Sequence, residues 1–234
     1  MDFDHLSGRQ REQARQQAVI SVRPKDQVAF SCRLCGECCR HVEDSIMLEP
    51  LDAYNLGRYL REHGGGVDSI EDVYGRYAHP SMLHDIYPIF LLNTQGKKDQ
   101  SCVFLEEGRC SVYEGQPRVC RLYPFTVKNG ARGHRFAYYQ CLDSHASHFD
   151  GGKVTVGDWM YHNFTKDART FVELEVSALP ELAELLKKLG PDGRRQVLFR
   201  LLYYRYYNYE LDQPFLPQYQ ENQRQLIYAL REEV

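Results

Sequence analysis

The sequence predicts an α+β fold in which a small cysteine-rich module of short strands and helices precedes a helical C-terminal extension. Three observations predict it. All eight cysteines lie between residues 32 and 141, and none follows Cys141. The same stretch holds short runs rich in β-branched and aromatic residues, broken by turn pairs such as Asn129-Gly130. From Asp158 onward leucines recur at three- and four-residue spacing, the period of one helix face. The expected divisions are a polar lead-in over 1–27, the module over 28–150, and a helical extension packed on it over 151–234.

At about 150 residues per domain, 234 residues suit one domain with an appendage or two small ones. Lys and Arg number 29 against 32 Asp and Glu, a net charge of −3, with 43% hydrophobic and 26% charged residues. Those values are average for globular proteins and exclude collagen, coiled coil and wholesale disorder. No apolar run reaches the ~18 to 20 residues of a membrane helix, and the first twenty residues are rich in Gln and Arg where a signal peptide is apolar. The cytosol is the expected compartment, with no membrane association. Near-zero net charge argues against nucleic acid, which requires a surplus of Lys and Arg on one surface. The expected partner is an unidentified protein or small molecule.

Along the chain, Arg9 to Val19 suggests a short helix ended by Pro24, with ordered structure starting at Val28-Ala29-Phe30. Glu49-Pro50 opens a helix whose apolar stripe is Leu51, Tyr54, Leu56, Tyr59 and Leu60, closed by Gly64. Asp68-Ser69-Ile70-Glu71 has capping-box spacing and starts a second helix to about Tyr77, before Pro80. Ile86 to Leu92 reads as an edge strand interrupted by Pro88, and Cys102 to Leu105 as a short extended piece. Phe125 to Lys128 and His134 to Tyr139 form a hairpin about Asn129-Gly130, with Cys141 just past it, and Lys153 to Val156 is a further short strand. Leu182, Leu185, Leu186 and Leu189 mark a helix begun by Pro180 and ended by Gly190-Pro191. Asp192 is positioned to cap the next, and Pro217 starts a last helix with Tyr219, Leu226, Ile227 and Leu230 inward.

Cys32-Arg33-Leu34-Cys35-Gly36-Glu37-Cys38-Cys39 places four thiols in eight residues. A C-x-x-C turn aims two sulfurs at one point, and Gly36 permits the left-handed backbone such a knuckle adopts. Repeating the turn through Cys38 makes three sulfurs converge, the spacing of the first three ligands of a bacterial ferredoxin run, whereas zinc more often takes two ligands from each of two knuckles. Cys102, Cys110, Cys120 and Cys141 form the second group, the first two approaching each other if Glu107-Gly108 turns the chain. A reducing compartment disfavours disulfides at this chain length. The expected ligands are therefore Cys32, Cys35, Cys38, Cys39, Cys102, Cys110, Cys120 and Cys141, in two four-sulfur sites or one polynuclear site that organises the module. A 4Fe-4S iron-sulfur cluster is the favoured cofactor and zinc the alternative. Adjacent Cys38 and Cys39 are expected to serve different centres or to include one non-ligand. Arg33, Arg40, Arg109, Arg118 and Arg121 lie within two residues of a cysteine and either screen the thiolates or are solvated surface.

Cys32 to Cys39, then Cys102-Val-Phe-Leu, Gly108-Arg-Cys110-Ser-Val-Tyr113 and Pro117-Arg-Val-Cys120-Arg-Leu-Tyr-Pro-Phe125, resemble the YkgJ-like cysteine-cluster family, the CxxCxxCC zinc- or iron-chelating domain. The resemblance covers about Phe30 to Cys141. It extends to proteins similar to flagellin lysine-N-methylase, which implies an iron-sulfur centre and methyl transfer as an alternative function; a structural zinc module in an interaction protein is another. The family commonly has arginine directly before the proline, where this chain has Gln116, and any anion contact of that arginine does not carry over.

No Walker motif, no G-x-G-x-x-G after a strand and no H-E-x-x-H is present. His134, His145 and His148 lie near Cys141 in sequence and read as surface more readily than as ligands. Leu201 to Tyr209 carries five tyrosines and reads as a packed helix whose hydroxyls reach its rim. Asp158-Trp159, Glu173, Glu175 and Glu181 read as helix surface, and no cysteine has an evident histidine partner that would make a catalytic dyad.

Overall fold

A computed structural model describes residues 19–83, 86–130, 135–142 and 151–233. In chain order the elements are β1 (Val19–Val22), β2 (Gln27–Ala29), a 3-10 turn at Glu37–Cys39, α1 (Pro50–Glu62), α2 (Ile70–Tyr77), β3 (Ala78–Leu83) and β4 (Tyr87–Leu92). Then follow β5 (Thr94–Gln95), β6 (Ser101–Cys102), β7 (Leu105–Glu106), β8 (Arg109–Cys110), α3 (Arg118–Leu122), β9 (Phe125–Asn129), β10 (Phe136–Cys141) and β11 (Lys153–Thr155). The chain ends in α4 (Val156–Asn163), α5 (Lys166–Lys188), α6 (Pro191–Leu202), a π-helical turn at Tyr203–Tyr207 and α7 (Phe215–Arg231). The fold is α+β with a helical C-terminal region. No helix among the described residues is long and apolar enough to cross a membrane.

The chain divides into two compact units, each assembled from two separated stretches. Met1–Cys38 with Val119–Thr165 make the first. Its antiparallel sheet has the order β1-β10-β9, with Val19 opposite Cys141 and Gln140 opposite Phe125. Val19–Val22 is thus a strand, correcting the helix expected to reach Val19; the β-branched residues Val19, Ile20 and Val22 pair with the edge of β10. The rest of that expected helix lies outside the described residues. A second pair joins β11 to β2. Phe30 stands edge-on to Tyr123 and Trp159 at 5.9 and 5.2 Å, over a core that includes Leu122, Phe125, Val156, Met160 and Phe164.

The second unit is Cys39–Arg118 with Lys166–Val234. Pro50 supplies the first turn of α1, which buries Leu51, Tyr54, Leu56 and Leu60, and Gly64 beyond it takes φ +75°. In α2 the capping box is Ser69 with Asp72, one residue later than the Asp68/Glu71 spacing suggests. Ser69 Oγ accepts from the Asp72 N–H at 3.3 Å, and Asp72 accepts from the Ser69 N–H at 3.1 Å. Hairpin β3–β4 pairs Ala78 with Leu92; on the other side of β4, the Leu48 N–H donates to Phe90 and the Leu92 N–H to Ile46. Pro88 is accommodated opposite Met82 in this two-stranded hairpin.

Pro180 lies inside α5 and does not begin it. An interior proline costs ~3 kcal/mol, but Ala168 and Phe171 before it and Leu182, Leu185 and Leu186 after it are all buried, and packing both segments outweighs that cost. Leu182, Leu185, Leu186 and Leu189 form one apolar cluster with Val197 and Leu201 of α6 and Leu226 and Leu230 of α7. Helix α6 starts at Pro191 with Gly190, not Asp192, as its N-cap. Of the tyrosine run, Tyr206 and Tyr209 are buried and Tyr203 is exposed, and residues 203–207 wind as a π-helix.

Candidate metal centre

The loop carrying the first cysteines turns through left-handed backbone. Leu34, between Cys32 and Cys35, has φ +53°, and Gly36 has φ +70°. A left-handed leucine costs roughly 1–2 kcal/mol, and such strain is typically retained where a site demands it. The remaining non-glycine residues with positive φ are His41, Asp44, Gln100 and Glu107, so among the described residues this strain is confined to the stretches beside Cys39, Cys102 and Cys110. Glu107 and Gly108, at φ +48° and +76°, form the two-residue turn the sequence suggests. The turn sets Cys110 opposite Leu105, while Cys102 pairs with Thr94.

All eight cysteines are thiols and none is in a disulfide. Cys32 and Cys38 are exposed, Cys102 is buried, and Cys35, Cys39, Cys110, Cys120 and Cys141 are half-buried. In the first unit, the Phe30–Tyr123 ring contact joins the stretch entering Cys32 to the stretch leaving Cys120. The Tyr123 N–H donates to the Cys120 carbonyl at 3.2 Å, and the Cys141 N–H to the Pro124 carbonyl at 2.7 Å. In the second unit, the His41 N–H donates to the Asp99 carbonyl at 2.8 Å and the Val42 N–H to the Gln100 carbonyl at 3.0 Å, and Arg40 pairs with Asp99 at 3.2 Å. These contacts hold the backbone leaving Cys39 against the turn entering Cys102.

There the Cys39 and Cys110 thiols are hydrogen-bonded to each other. The bond to Cys39 and the Val112 N–H draw the Cys110 thiol down to about 7 against the opposing effect of burial. A sulfur that ionises at neutral pH suits a soft cation, since the thiolate is the ligand. Among the described residues, no three His, Cys, Asp or Glu side chains are grouped tightly enough to hold an ion. His134, His145 and His148 lie outside the described residues.

Residues 31–142 match the family model of the CxxCxxCC domain, described as a putative zinc- or iron-chelating domain. The match takes in all eight cysteines and just under half of the chain. The match supports metal binding in general, and the stretch supplies eight thiols of the donor type such an ion takes, although the structure does not gather three of them around one point. Comparison with curated proteins and with solved structures gives no match.

Polar residues that motif reading passed over lie beside the CxxCxxCC cysteines and deeper in the second unit. Arg118, two residues before Cys120, is ion-paired with Glu49, and its N–H donates to Asp52 at 2.8 Å. Arg118 is therefore no solvated arginine. Asp52 is 5% exposed, and burial, reinforced by Glu49, pushes its carboxyl up to about 7. Glu175, expected on a helix surface, is instead in an interior pair with Arg205, at side-chain exposures of 14% and 7%. The Tyr219 hydroxyl donates to the same carboxylate, and Tyr87 and Tyr206 lie 5.0 and 5.6 Å from the guanidinium. The π turn that carries Arg205 has no sequence signature, and a glutamate in an amphipathic helix gives no sign of which face it takes.

Proposed function

We propose that this protein holds a 4Fe-4S iron-sulfur cluster through its cysteines, with zinc as the alternative metal. The observation that carries the reading is the Cys39–Cys110 thiol contact, a member of the first cysteine group against a member of the second. The ligands are drawn from Cys32, Cys35, Cys38, Cys39, Cys102, Cys110, Cys120 and Cys141. The C-x2-C-x2-C spacing of Cys32, Cys35 and Cys38 favours iron-sulfur over zinc. When bound, the cluster supplies an electron-transfer or Lewis-acid centre.

The chain's own part is to present sulfurs and restrain the backbone around them. Positive φ at Leu34 and Gly36 turns the first loop, and the Val112 N–H supports the Cys110 sulfur. On this reading the metal organises the 28–150 module, because a structural site contributes ~10 to 16 kcal/mol of apparent binding energy, more than the entropy of closing the loops between ligands. The protein works in a reducing compartment, the cytosol, with a protein or small-molecule partner and without nucleic acid or membrane. Anaerobic purification tests the reading. Brown protein with about four irons per chain supports it; colourless, zinc-loaded protein selects the alternative, and protein with neither metal rejects both.

A further inference from the structure

Cys39 closes a 3-10 turn and Cys110 ends β8, and their thiols are hydrogen-bonded to each other inside the second unit. Both are half-buried, so a small solute reaches them. The backbone beside each is restrained. Beyond Cys39, the His41 and Val42 N–H groups donate to the Asp99 and Gln100 carbonyls at 2.8 and 3.0 Å, and Arg40 pairs with Asp99. Around Cys110, the Glu107-Gly108 turn sets it opposite Leu105, and the Ser111 N–H and hydroxyl both donate to the Phe104 carbonyl, at 2.9 and 3.1 Å. The Tyr59 hydroxyl of α1 donates to the Ser111 carbonyl at 3.4 Å. Two held segments thus bring the sulfurs together. Among the described residues, no third His, Cys, Asp or Glu is grouped with this pair. Two sulfurs fill half the shell of a tetrahedral ion, but they are the whole of a disulfide.

We infer that Cys39 and Cys110 are a redox pair, converted reversibly to a disulfide by exchange with a low-molecular-weight disulfide such as oxidised glutathione. One thiolate of the pair attacks a sulfur of the small disulfide, forming a mixed disulfide and expelling one small thiolate. The second protein thiolate then attacks the protein sulfur of that mixed disulfide, the Cys39–Cys110 bond forms, and the second small thiolate leaves. Two electrons pass from the protein sulfurs to the small disulfide, and the two thiol protons end on the two small thiols released. Disulfides in reducing compartments are transient and redox-sensing, so the resting form is the dithiol. The new bond ties the turn at Glu37–Cys39 to β8 and withdraws both sulfurs from any metal they hold. That last consequence rests on the metal-binding reading above; the disulfide itself rests on the thiol contact.

Redox titration of the anaerobically purified full chain tests this. The protein is equilibrated in reduced and oxidised glutathione at stepped ratios, quenched with acid, alkylated with iodoacetamide and digested without reductant. Cross-linked peptides are located by mass spectrometry, and iron and zinc are measured in each sample. The expected result is a Cys39–Cys110 cross-link that grows as oxidised glutathione is raised and vanishes with dithiothreitol. In urea, where sequence neighbours close the shortest loops, its yield is expected to fall about tenfold or more. In Cys39→Ser the reaction stops at a mixed disulfide on Cys110. Absence of the cross-link at every ratio overturns the inference, as does an equal yield in urea, or a wild-type reaction that stops at glutathione on Cys39 and Cys110. Bound metal without the cross-link defeats this inference and leaves the metal-binding reading standing; the cross-link in a chain that carries neither iron nor zinc does the reverse. The wild-type arms stand even where the variant does not fold.

Discussion

Arg205 and Glu175 are joined in the interior of the second unit by two parallel hydrogen bonds, of 3.0 and 2.9 Å. Tyr219 donates to the same carboxylate, and the Tyr206 hydroxyl donates to the Pro88 carbonyl at 2.8 Å. The pair thus fixes the π turn to α5 and α7, and its neighbour Tyr206 ties that turn to β4.

Removing one member of such a pair leaves the other charge buried and alone. Arg205→Met is expected to lower stability by about 3–5 kcal/mol in urea denaturation, and Glu175→Leu in the same chain to recover most of the loss. Equal stability of wild type and Arg205→Met would show that the pair contributes nothing.

Asp52 gives a pH dependence of definite sign. Its carboxyl, held up to about 7 in the fold by burial and by Glu49, returns to about 3.8 on unfolding. Between those values the folded chain keeps a proton that the unfolded chain has lost. The contribution is therefore fully present below pH ~4 and is lost as pH rises through ~7. Asp52→Asn keeps an oxygen for the Arg118 N–H and removes the titration, so its stability relative to wild type is expected to rise across this window, by at most about 4 kcal/mol. A constant difference from pH 4 to 8 would contradict this.

Two glycines provide a packing contrast. A Cβ at Gly115 would stand 2.6 Å from the Tyr59 Cβ and Cγ, whereas one at Gly75, inside α2, meets nothing within 4 Å. Gly115→Ala is expected to lower the melting temperature, at a cost of about 1–3 kcal/mol, and Gly75→Ala to raise it, by about 0.5–1 kcal/mol.

Much of this fold is legible wherever local chemistry decides. Of the expected stripe, Leu51, Tyr54, Leu56 and Leu60 are buried on α1 and Tyr59 is half-buried, and Phe125–Asn129 pairs antiparallel with β10 as a hairpin over this stretch requires. Distant packing decides the rest. Val19–Val22 is a strand because β10 offers an edge, and α5 passes through Pro180 because buried side chains lie on both sides of it. The capping box moves one residue because Asp68 and Ser69 are both N-cap residue types, and Asp72, three residues after Ser69, is the carboxylate that turns back to accept from the Ser69 N–H. At the candidate site, cysteine spacing is legible in the sequence, but the meeting of Cys39 with Cys110 depends on the clamp of residues 40–42 against 99–100, which joins residues far apart in sequence.

Metal removal should be felt by the backbone. Anaerobic chelation is expected to unfold residues 30–141, seen as loss of ellipticity and a lowered melting temperature, since a structural site contributes ~10 to 16 kcal/mol. The buried cluster of Leu182, Leu186, Leu201, Leu226 and Leu230 contains no cysteine, and residual helical signal is expected from it. Identical melting curves with and without metal would rule out a structural role.

The most direct measurement is the metal-to-chain ratio of the full protein, purified without oxygen and analysed for iron, zinc and acid-labile sulfide together. The account predicts bound metal in every chain, with about four irons and matching sulfide as the favoured composition. Protein that is folded, free of iron and zinc, and reactive at all eight thiols would contradict it.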